Sequence, residues 1–169
     1  MRALVQGDRV VGTVLALAVA AVLAAGVAGW AWWRAAHDEG LAAARERDDV
    51  LAAVSRGLEV LNTLDHQHAE RDVDRWLAVT AGRLYDELSG DRRLQLDRAA
   101  GTRAVSTAAV LRAAVTELDR AAGTARLVAV LDVRMATGGE PPEPRRSRLT
   151  VEASRTDQGW KVSSVQAAG

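Results

Sequence analysis

Between Arg9 and Arg34 the chain carries no charged side chain and no proline, and Thr13 is the one hydroxyl. About two dozen apolar residues at the helical rise reach roughly 36 Å, against a hydrocarbon core of about 30 Å. A soluble helix of that length would show a polar face, and this stretch shows none. The expectation is a membrane-spanning signal-anchor helix over residues 10–33. Trp30, Trp32 and Trp33 cluster at its far end, where indole rings favour the membrane–water boundary, and are expected to act as interface anchors. The competing reading is a cleaved signal peptide, with Arg2 and Arg9 as its positive region and Ala28 and Gly29 resembling a cleavage site. A secretory apolar region is usually about 7–15 residues, much shorter than this run, so an uncleaved anchor is expected.

The same stretch has a pattern of its own. Gly12, Ala16, Ala20, Ala24 and Ala28 recur every four residues, with Ala21, Ala25 and Gly29 in an adjoining row. Small residues at that spacing let two membrane helices approach closely, which makes this row a candidate helix-packing face. Alanine bias alone produces such rows in an alanine-rich chain, and the two readings stand level. Arg2 and Arg9 precede the helix while Arg34, Arg45 and Arg47 follow it, so the count of positive charges does not orient it.

Removing the anchor leaves 38–169, the size of one compact domain. Across the whole chain, anchor included, 49% of residues are hydrophobic, enough for a core. The absence of cysteine excludes a disulfide framework and a thiolate zinc site. A formal net charge of zero gives no bulk basic character, and no nucleic-acid partner is expected.

Past the anchor, Val50, Ala53, Gly57, Val60 and Leu64 recur at three- and four-residue steps beside Leu51, Val54, Leu58 and Leu61. That is the broad stripe of an amphipathic helix, read from about residue 39 to about 64 and open to continuity with the membrane helix. Asp65, His66, Gln67 and His68 break the period. A short helix follows near 70–76, then Thr80, Ala81 and Gly82 punctuate the chain before a third helix begins at Leu84, Tyr85 and Leu88. From Val105 the pattern becomes β-like over 105–118, 127–135, 149–153 and a last strand holding Trp160, Val162 and Val165. Trp160 shares parity with Val162 and is expected in the core. All three prolines lie within 140–144, expected as an exposed loop. Helices first and then consecutive strands with short turns predict an α+β fold, the helical half covering one face of an antiparallel sheet.

Residues that carry chemistry are sparse. His66 and His68 lie near Asp65, Glu70 and Asp72, but a two-residue spacing does not share a helical face, and no metal site is expected. No serine has a nucleophile-elbow context and no glycine loop is placed to cradle phosphate. Tyr85 facing a buried Asp132 would make an enclosed acid–base pair; the simpler expectation packs Tyr85 on its helix and points Asp132 to solvent. Arg145, Arg146 and Arg148 form a small basic cluster that sits in the proline-rich loop and reads first as solubility, with binding to anionic headgroups as the alternative. No catalytic residue and no cofactor is expected.

The order of these features resembles the Mce-associated membrane proteins of actinobacteria, small single-pass partners of the mammalian-cell-entry transport systems. The resemblance rests on the anchor and the Asp48-Asp49-Val50-Leu51-Ala52-Ala53 helix, then Asp72 to Trp76 and the Thr80-Ala81-Gly82 step. It continues through Ala113-Ala114-Val115, Arg126-Leu127-Val128-Ala129-Val130 and Asp157-Gln158-Gly159-Trp160-Lys161-Val162-Ser163. Trp30-Ala31-Trp32-Trp33 and the missing N-terminal extension depart from the family pattern. The resemblance implies a cone of helices on a curved sheet, similar to nuclear transport factor 2 and VirB8. It implies a short cytoplasmic segment 1–9, the span 10–33, a juxtamembrane amphipathic helix 34–64 and the rest of an extracytoplasmic domain at 65–169. The implied role is a non-enzymatic accessory or assembly subunit of a lipid or sterol importer in the cell envelope. Its implied partners are the membrane, Mce-complex subunits or a second copy. Two alternatives stand beside it: a cone that binds a lipid or works as an isomerase, and a VirB8-like scaffold of a secretion apparatus. A cone with an enclosed apolar pocket and inward carboxylates would favour the ligand reading; a filled cone favours a scaffold.

Overall fold

The computed structural model describes the backbone of residues 4–138 and 140–168, and side chains over 17–34, 40–138 and 140–168. The chain divides into two compact units, Met1–Arg45 and Glu46–Gly169. Helix α1 is assigned over Leu4–Leu61. In the first unit, the stretch Leu17–Arg34 is long and apolar enough to cross a membrane, with a mean hydropathy of 1.4. Its side chains are exposed throughout, as a helix built to meet lipid requires.

The second unit is α+β. Strands β1 (Leu64–Asp65), β2 (Val105–Asp119), β3 (Thr124–Ala136), β4 (Glu143–Thr156) and β5 (Gly159–Ala167) form one antiparallel sheet in sequence order. Helices α2 (Ala69–Val79), α3 (Gly82–Gly90) and α4 (Arg92–Thr102) fall between β1 and β2. Strand β3 shows the organising pattern. Ala125, Leu127, Ala129, Leu131 and Val133 are buried, and the residues between them are not. Onto that inner face residues 46–61 of α1 lay Val50, Val54 and Leu58, which join Leu127, Leu131, Val151 and Val162 in the core. Each such side chain contributes about 1.5–3 kcal/mol by leaving water. Gly57 permits the close approach: a Cβ there would stand 3.0 Å from Val162 Cγ2.

Bulges keep the apolar positions on one face where the spacing is irregular. Leu111 and Thr116 are extra residues of β2 opposite β3, so Val110 and Ala113, three apart, both turn inward, as do Val115 and Leu118. Ser163 is the extra residue of β5, and it lets Val162 and Val165 face the core together. Each insertion also bends its strand.

Three expectations are corrected. The amphipathic helix stops at Leu61, because Asn62 Nδ2 donates to Leu58 O at 2.8 Å and Thr63 Oγ1 to Glu59 O at 2.7 Å, satisfying the last carbonyls, and Leu64 opens β1. The proline stretch is exposed, but Glu143 and Pro144 already belong to β4, opposite Met135 and Arg134. Proline is tolerated there because β5 pairs with β4 only from Leu149 onward, so no ladder partner needs the missing N–H. Trp160 packs against the core but is only half-buried, because its cover on one side is Arg155, 5.1 Å from its ring and itself about half exposed.

Candidate interaction surfaces

Several of the quoted sequence motifs are structural joints. Asp72, buried in the first turn of α2, accepts the Asp65 backbone N–H at 2.8 Å, and Arg75 Nη1 lies 3.4 Å from its other oxygen. Trp76 Nε1 donates to Thr63 O at 3.0 Å, so the Asp72-to-Trp76 segment staples α2 to the chain leaving α1. The Thr80-Ala81-Gly82 step works the same way. Buried Thr80 returns its hydroxyl to Trp76 O at 2.9 Å, Ala81 N–H donates to Val162 O at 2.9 Å, and Gly82 takes φ +55° to open α3. Ala113, Ala114 and Val115 stand directly opposite Ala129, Val128 and Leu127 across the β2–β3 ladder. The Asp157-Gln158-Gly159 segment is the β4–β5 turn, with Gly159 at φ +103°.

At the end where the chain enters the second unit, Glu46 of α1 meets Arg120 Nε at 2.8 Å and also pairs with Arg155. Arg155 in turn lies over Trp160. Three side chains far apart in sequence thus close the inner face beside the β2–β3 turn. No local pattern announces that cluster, because its members come from three elements.

The cone interior is filled by the core just described. Beside that core, a cavity of about 250 Å³ is lined by Glu59, Val60, Thr63, Asp72, Arg75 and Ala108, and another of about 270 Å³ by residues that include Glu117, Ala125, Glu152 and Ala153. Both carboxylates of the first are engaged: Glu59 Oε1 accepts the Val110 N–H at 3.1 Å, and Asp72 is held as above. At about 250 Å³ this cavity is slightly smaller than the roughly 300–1,000 Å³ usual for drug-sized ligands.

The histidine cluster resolves into a cap. Asp65 accepts the Gln67 N–H at 2.9 Å and lies 2.9 Å from His68 Nδ1, while His66 Nδ1 stands 3.7 Å away. The hydrogen bond with His68, then that with Gln67, holds the Asp65 carboxyl below its ordinary range. Among the described residues no group of three or more His, Asp or Glu side chains is placed to hold a metal. Tyr85 lines a shallow surface concavity with Asp74, Thr80, Asp157 and Lys161, whereas Asp132 sits on β3 with Arg134 4.0 Å away; the two do not meet in one chamber.

Of the small-residue row, Ala20, Ala24 and Ala28 are exposed on the apolar helix, and the side chains of Gly12 and Ala16 lie outside the described residues. Trp30, Trp32 and Trp33 are exposed as well, with Arg34 over the Trp30 ring at 5.4 Å.

The arginine cluster is not in a loop. Arg146 and Arg148 lie on β4 opposite Asp132 and Val130, on the sheet face that no helix core residue reaches, while Arg145 takes the other parity opposite Val133. Arg112 and Arg134, which the sequence pattern did not single out, join the same outer face.

The solved structures similar to this chain share its architecture. The periplasmic domain of DotI matches with TM-score 0.57 at 14% identity, over 70% of this chain and 94% of that one. CagV, a VirB8 homolog of Helicobacter pylori, matches with TM-score 0.54 at 11% identity, over 70% and 95%. VirB8 of Agrobacterium tumefaciens gives 0.51 at 13%, over 73% and 92%. At such identities the likeness establishes the fold, the VirB8-like relative of nuclear transport factor 2 that the family resemblance implied. Comparison with curated protein sequences gives no match. A family model described as "Uncharacterized protein Rv1363c/MT1408-like" matches residues 10–168, and the chain belongs to that family.

Proposed function

We propose that this protein is a membrane-tethered, non-enzymatic assembly subunit, built to hold other envelope proteins together. The observation that carries this reading is the filled cone. Leu58, Leu127, Leu131, Val151 and Val162 are fully buried and pack the inner face of the sheet into a solid core. The VirB8-like fold supports it as well, since the similar structures named above include the periplasmic domain of DotI and CagV, a VirB8 homolog of a type IV secretion system. The finer assignment is to an Mce-type lipid or sterol importer. It rests on the order of motifs from the anchor to the Asp157–Ser163 segment.

In this reading residues 10–33 anchor the chain in the cell membrane, and the domain lies outside the cytoplasm. A cysteine placed at Pro142 should react with an impermeant thiol reagent on cells whose outer envelope alone is opened. Reaction only after the inner membrane is opened reverses the topology. The row Gly12, Ala16, Ala20, Ala24 and Ala28 is the proposed contact with a neighbouring membrane helix. Ala20→Leu with Ala24→Leu should then release a membrane partner that Leu23→Ala leaves bound.

The deciding experiment is purification of the tagged full chain in mild detergent, with identification of the subunits that accompany it. Mce-type transport subunits are the expected companions. Secretion subunits would favour the scaffold of a different apparatus, and a chain that purifies alone would end the assembly reading.

A further inference from the structure

The outer face of the sheet has the anatomy of an interface. Its centre is apolar: Val128 and Leu111 are 43% and 44% exposed, with Val130, Ala109 and Ala114 beside them. Around Val130 the ladder sets Arg112 on one side and Arg148 on the other. The next outward row sets Asp132 beside Arg146, and Arg134 follows. Arginines around an exposed apolar centre are what protein interfaces enrich, since the guanidinium presents a planar fork to carboxylates. The opposite end of the same face is acidic, with Glu117 and Glu152 flanking Arg126 at 3.0 and 3.4 Å.

We propose that this uncovered face docks an acidic surface of a second, different protein, with Arg112, Arg146 and Arg148 meeting its carboxylates and Val128 and Val130 its apolar centre. The inference rests on the assembly reading and names the chemistry of one partner. Two other occupants fit the pattern worse. The chain enters this unit at Glu46, beside the β2–β3 turn. Within this unit the arginine rows lie at the far end of the strands from the point where the chain enters. A lipid or polyanion surface would also meet Asp132, Glu117 and Glu152 on the same face, whereas a folded partner can answer each with a matching charge. Two copies anchored in one membrane would be joined to it at the same end. Placed face to face they would set arginines against arginines, a juxtaposition that costs affinity.

The test uses the full chain in cells, with a photo-activated cross-linking residue at Val128. The expected product is a cross-link to another protein, mapped by mass spectrometry to a segment in which Asp and Glu outnumber Lys and Arg. Arg146→Glu with Arg148→Glu should reduce its yield by about tenfold or more, as expected when close charge pairs turn repulsive. Arg146→Lys with Arg148→Lys should keep most of it, and unchanged melting of both variants establishes that the fold is intact. A cross-link to phospholipid, to a second copy, or one indifferent to the charge reversal overturns the proposal. If the wild-type chain co-purifies its subunits yet Val128 cross-links to none of them, this face is refuted and the assembly reading stands. If no subunit co-purifies at all, both fall.

Discussion

The two faces of strand β3 are made by one stretch of chain and behave as different materials. Inward, Ala125, Leu127, Ala129, Leu131 and Val133 meet α1 and are hidden from water. Outward, Arg126, Val128, Val130, Asp132 and Arg134 meet no helix of the core. A strand between two buried layers would be apolar at nearly every position, so this alternation is the mark of a sheet with one face left free. The difference teaches where each property resides. Inner positions set stability through packing and tolerate little change in volume. Outer positions can vary in charge and shape without unfolding the domain, and are free to encode a partner.

The sharpest way to break this division is to truncate neighbours of opposite parity. Leu131→Ala should destabilise the domain by about 2–5 kcal/mol, through lost transfer energy and the cavity left behind. Val128→Ala should stay within about 0.5 kcal/mol, as surface changes usually do. Chemical denaturation of the two variants decides it; comparable losses would mean that the outer face is covered by something that stabilises the fold.

Trp160 tests the inner face at its weaker end. A fully buried Trp truncated to Ala costs about 3–5 kcal/mol, and half-burial under Arg155 lowers the expectation to about 2 kcal/mol. Arg155→Ala should then lose part of the same energy, because it removes both the lid over the ring and a partner of Glu46. Full additivity of the two substitutions in a double-mutant cycle would show that the lid and the ring act independently.

The fold was largely legible because its signals are local. The uninterrupted apolar run, the helical stripe through Val50, Val54 and Leu58, and the alternation along β3 each follow from a short window. What escaped was long-range or hidden by irregularity. The bulges at Leu111, Thr116 and Ser163 shift parity mid-strand, so counting by twos misplaces every residue beyond them. Glu46, Arg120 and Arg155 meet only after folding. Arg145, Arg146 and Arg148 looked like a loop cluster because three nearby prolines masked the start of β4. Their relation to Arg112 exists only through strand register. Of the candidate surfaces, the anchor row was read from spacing, whereas the outer face needed the structure.

Gly57 refines the inner-face argument at finer scale. Replacing it with Ala should gain about 1 kcal/mol of helix propensity but press a methyl against Val162 Cγ2 at 3.0 Å, and overpacking costs about 1–3 kcal/mol. A net loss of about 1 kcal/mol is expected. Val162→Ala removes the opposing methyl, so in that background Gly57→Ala should become neutral or stabilising. Persistence of the full loss would locate the strain elsewhere.

The smallest effect is expected from Asp65, which sits on the two-residue edge strand β1 and belongs to neither face. Its carboxyl is held below the ordinary value of 3.8, first by the His68 hydrogen bond and then by the Gln67 N–H. A carboxyl whose folded pKa is depressed adds stability that is fully present above its unfolded pKa and disappears as the pH falls through the folded one. The contribution should therefore hold at neutral pH and vanish in acid below the usual carboxylate range. His68→Ala removes the larger cause and leaves the Gln67 bond, so Asp65 should titrate closer to 3.8 while the acid branch of the melting curve flattens slightly. Carboxyl titration by NMR on the two proteins reads this directly, free of the other acids that titrate together in a melting experiment. Superimposable Asp65 curves would mean that the ring contributes nothing to the cap. The 3-10 turn over His66–His68, which Asp65 caps, would then depend on the Gln67 N–H alone.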